Sequence, residues 1–416
     1  MPKINKAEDK IIFVVVHPYA SRDHHRFGAA YFMEQGYDVE IWRIITKKSV
    51  HMEWSAGMYD GSGYREYSSE QFRKLLPGLK DKAFFIFQGK PDPIFDVGSA
   101  GCRYMIMTGI NAVPVPDPED RSVLNIPASG GMEMRLQAIR KRGLVNYTLH
   151  CINDRLLVRR RREFDKKHPP MLTVTSTHYA ARQYMSEDEL AGNVLYTHTM
   201  DYDRFIEANR KDPDRTKKHI LYCDGQMFRK GYDAKLLGLE GDAYHDADRY
   251  YSRLEVLFSK LEEHYGLPVA VAGSPHLTYE DDRLCGRKIY YNQTCELTKN
   301  AALFVVTTTT AMNFPALYDT PVLKIANESL KTSPLGKYAN TYAYIKDEAE
   351  QIFGCGFLDL DDDGQMSHPW DFAKPMDPGK REAFIRDYII DNDTADRTIA
   401  ECMEEYLNGG CRRDTD

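Results

Sequence analysis

Residues 301–325, AALFVVTTTTAMNFPALYDTPVLKI, constrain the fold more than any other stretch of the chain. The apolar run at 303–306 reads as a strand buried on both faces. Four threonines follow, then a short helix over 312–317 and a second strand over 322–325. A strand, turn, helix and strand in that order form the βαβ unit of a parallel sheet. The turn also bears on chemistry. The first N–H groups of a helix lack internal partners and favour an anion, and the hydroxyls of Thr308, Thr309 and Thr310 add donors that rotate to suit a phosphate oxygen. The alternative is that these threonines only cap the helix.

The first half of the chain repeats the pattern. The run IIFVVV at 11–16 is a continuous apolar strand ending at His17-Pro18. A helix over 26–35 stopped by Gly36 and a strand over 39–45 complete one βαβ unit. Further strands are expected at 83–87, 104–108 and 172–175, with helices over 132–142 and 154–166 between them. A breaker-rich linker, Asn209 to Arg215, precedes a second unit with strands at 219–223 and 269–272, a long helix over 246–264 and a polar helix over 292–300. The expected organisation is α/β, with two Rossmann-like doubly wound domains facing a central cleft. They span 1–208 and 216–380, and 381–416 forms C-terminal helices that cross back to the first domain. Asp391-Asn392-Asp393-Thr394 breaks the last apolar stripe and reads as a stop followed by a fresh N-cap.

At 416 residues the chain is too long for one ordinary core. A net charge of −7 gives no footprint for nucleic acid. Arg159 to Arg162 form a basic run, read as a solvated helix face or a patch meeting an acidic partner or a membrane surface. Eight scattered cysteines without a CxxC pair argue against a zinc site or a disulfide framework. The polar opening MPKINKAEDK leads into a strand, so no signal peptide is expected, and no apolar run nears the roughly 20 residues of a membrane span. A cytoplasmic protein, peripheral at most to the inner face of a membrane, is the expectation.

Gly273-Ser274-Pro275-His276, the segment Gln293-Thr294-Cys295-Glu296-Leu297 and Thr307 through Pro321-Val322 together resemble the nucleotide site of GT-B glycosyltransferases, nearest to those that build bacterial surface polysaccharides. His198 to Asp203 is similar to an inter-domain segment of those enzymes. The resemblance implies transfer of a sugar from a nucleotide-sugar donor to a carbohydrate or lipid-linked acceptor hydroxyl; neither a separate cofactor nor a metal is expected. Many retaining members carry two glutamates around the donor helix. Residues 307–316 hold no acid, which favours an inverting site. The alternatives are a nucleotide-sugar epimerase of the same fold and a non-catalytic sugar-binding protein.

Donor-side candidates are Asp224 and Gly225, where a loop can approach the ligand closely, with Ser274, His276, Glu296, Thr308, Thr309 and Thr310. Glu296 meets ribose hydroxyls or solvent, and His276 holds phosphate or ribose or merely closes a turn. Catalytic candidates on the opposite wall are His17 and Asp23, with His24 beside them, because a base near neutral pKa suits a hydroxyl acceptor. Asp201 is a third, with Asp203, either binding acceptor hydroxyls or capping a loop. The spacing of His17, Asp23, His24 and His25 matches no recognised zinc pattern. Asp359, Asp361, Asp362 and Asp363 lack the glutamate that would close a calcium loop and read as a solvated turn.

Overall fold

Alternate residues of each central strand go to opposite cores, which is the period of two that a doubly covered sheet requires. In β1 (Lys10–Val15), Ile11, Phe13 and Val15 enter one core while Ile12 and Val14 enter another. A computed structural model describes residues 6, 8–46, 58–110, 159–161, 163–225, 247–274, 279, 282–332, 341–390 and 394–409 of the chain. Among these, β1 joins β2 (Asp38–Ile45), β3 (Tyr64–Ser68), β4 (Ala83–Gln88), β5 (Arg103–Met107), β6 (Leu172–Thr175) and β7 (Val194–Tyr196) in a seven-stranded parallel sheet. Its order is β3-β2-β1-β4-β5-β6-β7.

A second parallel sheet has six strands in the order β10-β9-β8-β11-β12-β13. They are β8 (His219–Cys223), β9 (Val269–Gly273), β10 (Ile289–Tyr291), β11 (Ala301–Val306), β12 (Val322–Ala326) and β13 (Gly356–Asp359). Again one set of positions, Tyr222, Val271, Leu303 and Val305, feeds one core, and Leu221, Ala272, Phe304 and Val306 feed the other. Two such sheets in one chain are the two Rossmann-like domains of a GT-B-like fold. In each sheet the strand order reverses once, between β1 and β4 and between β8 and β11. Ligands of open α/β sheets sit outside the carboxyl ends of the strands at that point.

Four strands, β3, β7, β10 and β13, lie outside the sequence expectation. All four are sheet edges of three to five residues. A short edge strand has one paired side and partial solvent contact, so it carries no continuous apolar run to read. The helix expected over 26–35 is divided into Ser21–Arg26 and Ala29–Glu34. Gly28 separates them at φ 83°, and a Cβ there would fall 2.8 Å from the Ala400 Cβ. The chain turns at Gly28 because the C-terminal helix Ile399–Leu407 lies against it. That helix begins at Thr398, not at Thr394. The Thr398 hydroxyl accepts from the Glu401 N–H at 3.3 Å, and the Glu401 carboxylate accepts from the Thr398 N–H at 2.5 Å, a reciprocal capping box. Residues 391–393 lie outside the described residues, as does the expected helix over 132–142. Of the basic stretch, residues 159–161 and 163–167 are helical.

The Ile399–Leu407 helix buries Ile399, Ala400, Cys402, Met403 and Leu407 among Phe13, Phe32 and Met200, on one face of the first sheet. No helix among the described residues is long and apolar enough to cross a membrane.

Candidate functional site

At the reversal point of the second sheet, two loops touch. β8 ends in Asp224-Gly225 and β11 ends in the threonine turn. A Cβ on Gly225 would lie 2.5 Å from the Thr308 carbonyl oxygen and 2.7 Å from the Thr307 hydroxyl, so only glycine permits the approach. Thr307 is buried, and its hydroxyl has no hydrogen-bond partner among the described residues. Such a group in a native interior calls for an explanation. The Thr309 hydroxyl accepts from the Ala311 N–H at 3.1 Å and caps the 3₁₀ turn Thr310–Met312, so that threonine does serve as a cap. Thr308 is half-buried and Thr310 exposed. The Cys223 thiol lies 3.8 Å from the Thr309 hydroxyl, and burial pushes its pKa up to about 12, so it is no nucleophile at neutral pH.

Tyr279, which nothing in its local sequence marks, ties this edge together. Its hydroxyl donates to Asp224 at 2.7 Å and accepts from the Ser274 N–H at 3.0 Å. Asp224 and Ser274 therefore sit at the tips of neighbouring strands β8 and β9, both buried. Glu296, on the helix Thr294–Lys299, accepts from Arg204 at 2.6 Å, while its other oxygen is buried with no hydrogen-bond partner among the described residues. His276 lies outside the described residues.

On the first sheet, His17 sits half-buried just past the carboxyl end of β1. Asp23 is buried and committed to local structure. One oxygen accepts from the Ala20 N–H at 3.3 Å, capping Ser21–Arg26, and the other meets Arg22 at 3.2 Å. His24 stacks on Tyr59, ring centroids 4.3 Å apart, and burial lowers its pKa to about 4. It is neutral at physiological pH. Among the described residues no group of three or more His, Cys, Asp or Glu could hold a metal ion. The acidic run near 360 is a structural turn: Asp362 caps Asp363–Ser367, Asp361 pairs with Arg249, and Asp359 accepts from Tyr342.

The helix Met200–Lys211 packs against Ser21–Arg26, which follows β1, and against Thr294–Lys299 and Asn313–Tyr318, which flank β11. Asp201, in its first turn, meets Arg26 at 3.5 Å and accepts from the Asn313 side chain at 2.9 Å. Arg26 closes the helix that follows β1, and Asn313 opens the helix that follows the threonine turn. A single carboxylate thus links the segments leaving both reversal points. Desolvation raises the Asp201 pKa against the opposing pull of Arg26. Asp203 binds the His198 ring at 2.5 Å and the Ile399 N–H at 2.9 Å, anchoring the C-terminal helix. The other His198 ring nitrogen lies 3.1 Å from the Thr394 hydroxyl. In the basic run, Arg161 donates to the Lys90 carbonyl at 3.0 Å, whereas Arg159 and Arg160 are exposed.

No family model and no curated protein matches the chain. Solved structures resemble it at low identity over most of its length. The wall teichoic acid polymerase TagF is 11% identical over 97% of this chain and 90% of that chain, with a TM-score of 0.48. The spinosyn forosaminyltransferase SpnP is 12% identical over 96% of this chain and 99% of that chain, with a TM-score of 0.41. A UDP-GlcNAc 2-epimerase of Methanocaldococcus jannaschii, solved with UDP-GlcNAc and UDP, is 11% identical over 91% of this chain and 98% of that chain, with a TM-score of 0.37. Likeness of this order carries no information about the residues of the site.

Proposed function

We propose that this chain is a glycosyltransferase that takes a nucleotide-sugar at the carboxyl edge of the second sheet and passes the sugar to an acceptor hydroxyl held by the first domain. One observation carries the reading. The Asp201 carboxylate gathers the segments leaving both reversal points, which supports a donor edge and an acceptor edge that face each other. Two bound reactants held in register is what a group transfer between them needs.

In this reading the nucleotide's phosphates lie on the turn formed by Thr307, Thr308 and Thr310, with Gly225 allowing close approach. Asp224 and Ser274 border the same edge. Thr309 contributes through its backbone, since its hydroxyl caps the turn. His17 is the base. Asp23 and Asp201 have their carboxylates on Ala20, Arg22, Arg26 and Asn313, and an imidazole is the side chain whose ordinary basicity lies nearest neutrality, which suits His17 to the role. The imidazole takes the acceptor hydroxyl's proton as that oxygen bonds to the anomeric carbon. The bond to the donor phosphate breaks on the opposite face, and the leaving oxyanion is met by the hydroxyl and N–H donors of the turn. The acceptor is a carbohydrate or lipid-linked alcohol, and Arg159 and Arg160 offer a basic contact to an anionic membrane surface.

Titration of the full chain with CDP, UDP and GDP tests the donor site, because a ligand that binds only the folded state raises its apparent stability. At least one is expected to bind. Thr307→Val, nearly isosteric, is expected to weaken that binding about tenfold or more, the scale of one hydrogen bond to a charged group, without loss of fold. No nucleotide binding would sink the proposal. Turnover of the sugar-nucleotide with no acceptor present would replace transfer with epimerisation.

A further inference from the structure

Strand β12 reads Val-Leu-Lys-Ile-Ala, and all five residues are buried. Lys324, at its centre, is wholly enclosed and lies in register beside Val306, the last residue of β11. Its ammonium makes two hydrogen bonds. One goes to Glu348, itself buried, and the other to the Thr307 carbonyl at 3.3 Å. The Phe353 ring covers the ammonium from 5.8 Å. Glu348 opens a π-helical turn, Glu348–Phe353, an irregularity that recurs at functional sites.

A buried ion pair is a poor way to gain stability, since apolar residues of equal volume often do as well or better. What an apolar pair could not do is hold the Thr307 carbonyl. We propose that Lys324 is a positioning residue for the phosphate turn, with Glu348 neutralising it, so that the peptide between Thr307 and Thr308 is fixed in one orientation. No cis peptide occurs among the described residues, so the Thr308 N–H points opposite to the carbonyl that Lys324 holds. The carbonyl points at the buried ammonium, and the N–H points away from it. Thr308's own carbonyl lies close against Gly225. The first of these two peptide planes is thus set by Lys324, and the second packs against Gly225. Because Glu348 cancels the charge, Lys324 acts by geometry more than by adding positive potential to the crevice.

This inference rests on the nucleotide reading above. Its test compares the wild-type chain with the double variant Lys324→Met, Glu348→Leu, which leaves no lone buried charge. Each is titrated with UDP and CDP and with the matching nucleosides, and each is melted. The expected result is a diphosphate affinity weaker by about tenfold or more, a nucleoside affinity unchanged, and a similar melting temperature. Equal weakening of diphosphate and nucleoside binding overturns the positioning role, because it reports general damage and not a misplaced phosphate turn. Unchanged diphosphate affinity in the folded double variant overturns the inference alone, whereas failure of the wild-type chain to bind either diphosphate overturns the nucleotide reading and the inference together. If the double variant does not fold, Lys324→Arg, which shifts the donor, replaces it. Weakened diphosphate binding then supports the role, and unchanged binding overturns it.

Discussion

Individual side chains here divide into those that a neighbour already occupies and those that remain for chemistry. Asp23 and Thr309 belong to the first group, each accepting a backbone N–H near the start of a helical turn. His24 belongs there too, and it makes a pH-dependent contribution. Burial holds its folded pKa at about 4, below the ordinary 6.5. Between those values the unfolded chain binds a proton that the native chain refuses, so stability rises with pH across that window and falls as the pH drops through it. His24→Phe keeps a ring against Tyr59 and removes the titration. Denaturant midpoints measured from pH 4 to 7 are expected to slope less in the variant than in the wild-type chain. Equal slopes would mean that His24 titrates normally in the folded protein.

Elements matter most where Met200–Lys211 meets the short helices after β1 and β11. Its exposed side carries charge, while Ala208 and Phe205 pack with Cys295, Phe314 and Tyr318 of the second half. Asp201 has both oxygens engaged across this junction, so its role is a tie between elements. Asp201→Asn preserves the shape and one acceptor oxygen. It is expected to lower turnover by well short of the roughly 10²-fold that losing a general base costs, whereas His17→Ala should reach that figure with nucleotide affinity kept. Steady-state kinetics on both variants with a common donor and acceptor decide between them. A larger loss at Asp201 than at His17 would reverse the assignment.

For the whole molecule, the C-terminal helix is part of the first sheet's core. Met403 is fully buried beside Phe13 and Phe32, which lie 390 and 371 residues away in sequence. Tyr31 and Tyr37 both donate to Glu404, at 2.5 and 3.0 Å. Asp203 and His198 fasten the start of the same helix to the junction. Removing the Met403 side chain leaves a cavity in that core. Met403→Ala is expected to cost about 2–5 kcal/mol in urea unfolding. Nucleotide binding by the second domain should survive at temperatures where the chain stays folded. A change below about 0.5 kcal/mol, the size of an ordinary surface substitution, would place the helix outside the core.

The central strands were legible because a parallel strand covered on both faces must be apolar throughout. IIFVVV, AFFIF and AALFVV announce themselves without any partner in view. The threonine turn was legible for the same reason, lying where a buried strand gives way to polar residues. The four edge strands were not, since their pairing depends on neighbours and not on their own composition. Lys324 carried a signal that a reading by strands alone passes over: a charge inside an apolar strand needs a buried partner. Which partner was decided by a turn 24 residues on, and that Thr307 shares the ammonium was decided by the register of β11 and β12. Asp201 and Asp23 looked alike as acids near a cleft. Only the packed structure assigns one to a junction and the other to a cap, because hydrogen bonds spend a carboxylate on whatever the fold brings within reach. The sequence by itself therefore determined two doubly wound sheets and a hydroxyl-rich turn, properties of local pattern. Tertiary structure alone decided which polar groups are already committed, because that depends on distances between segments far apart in the chain.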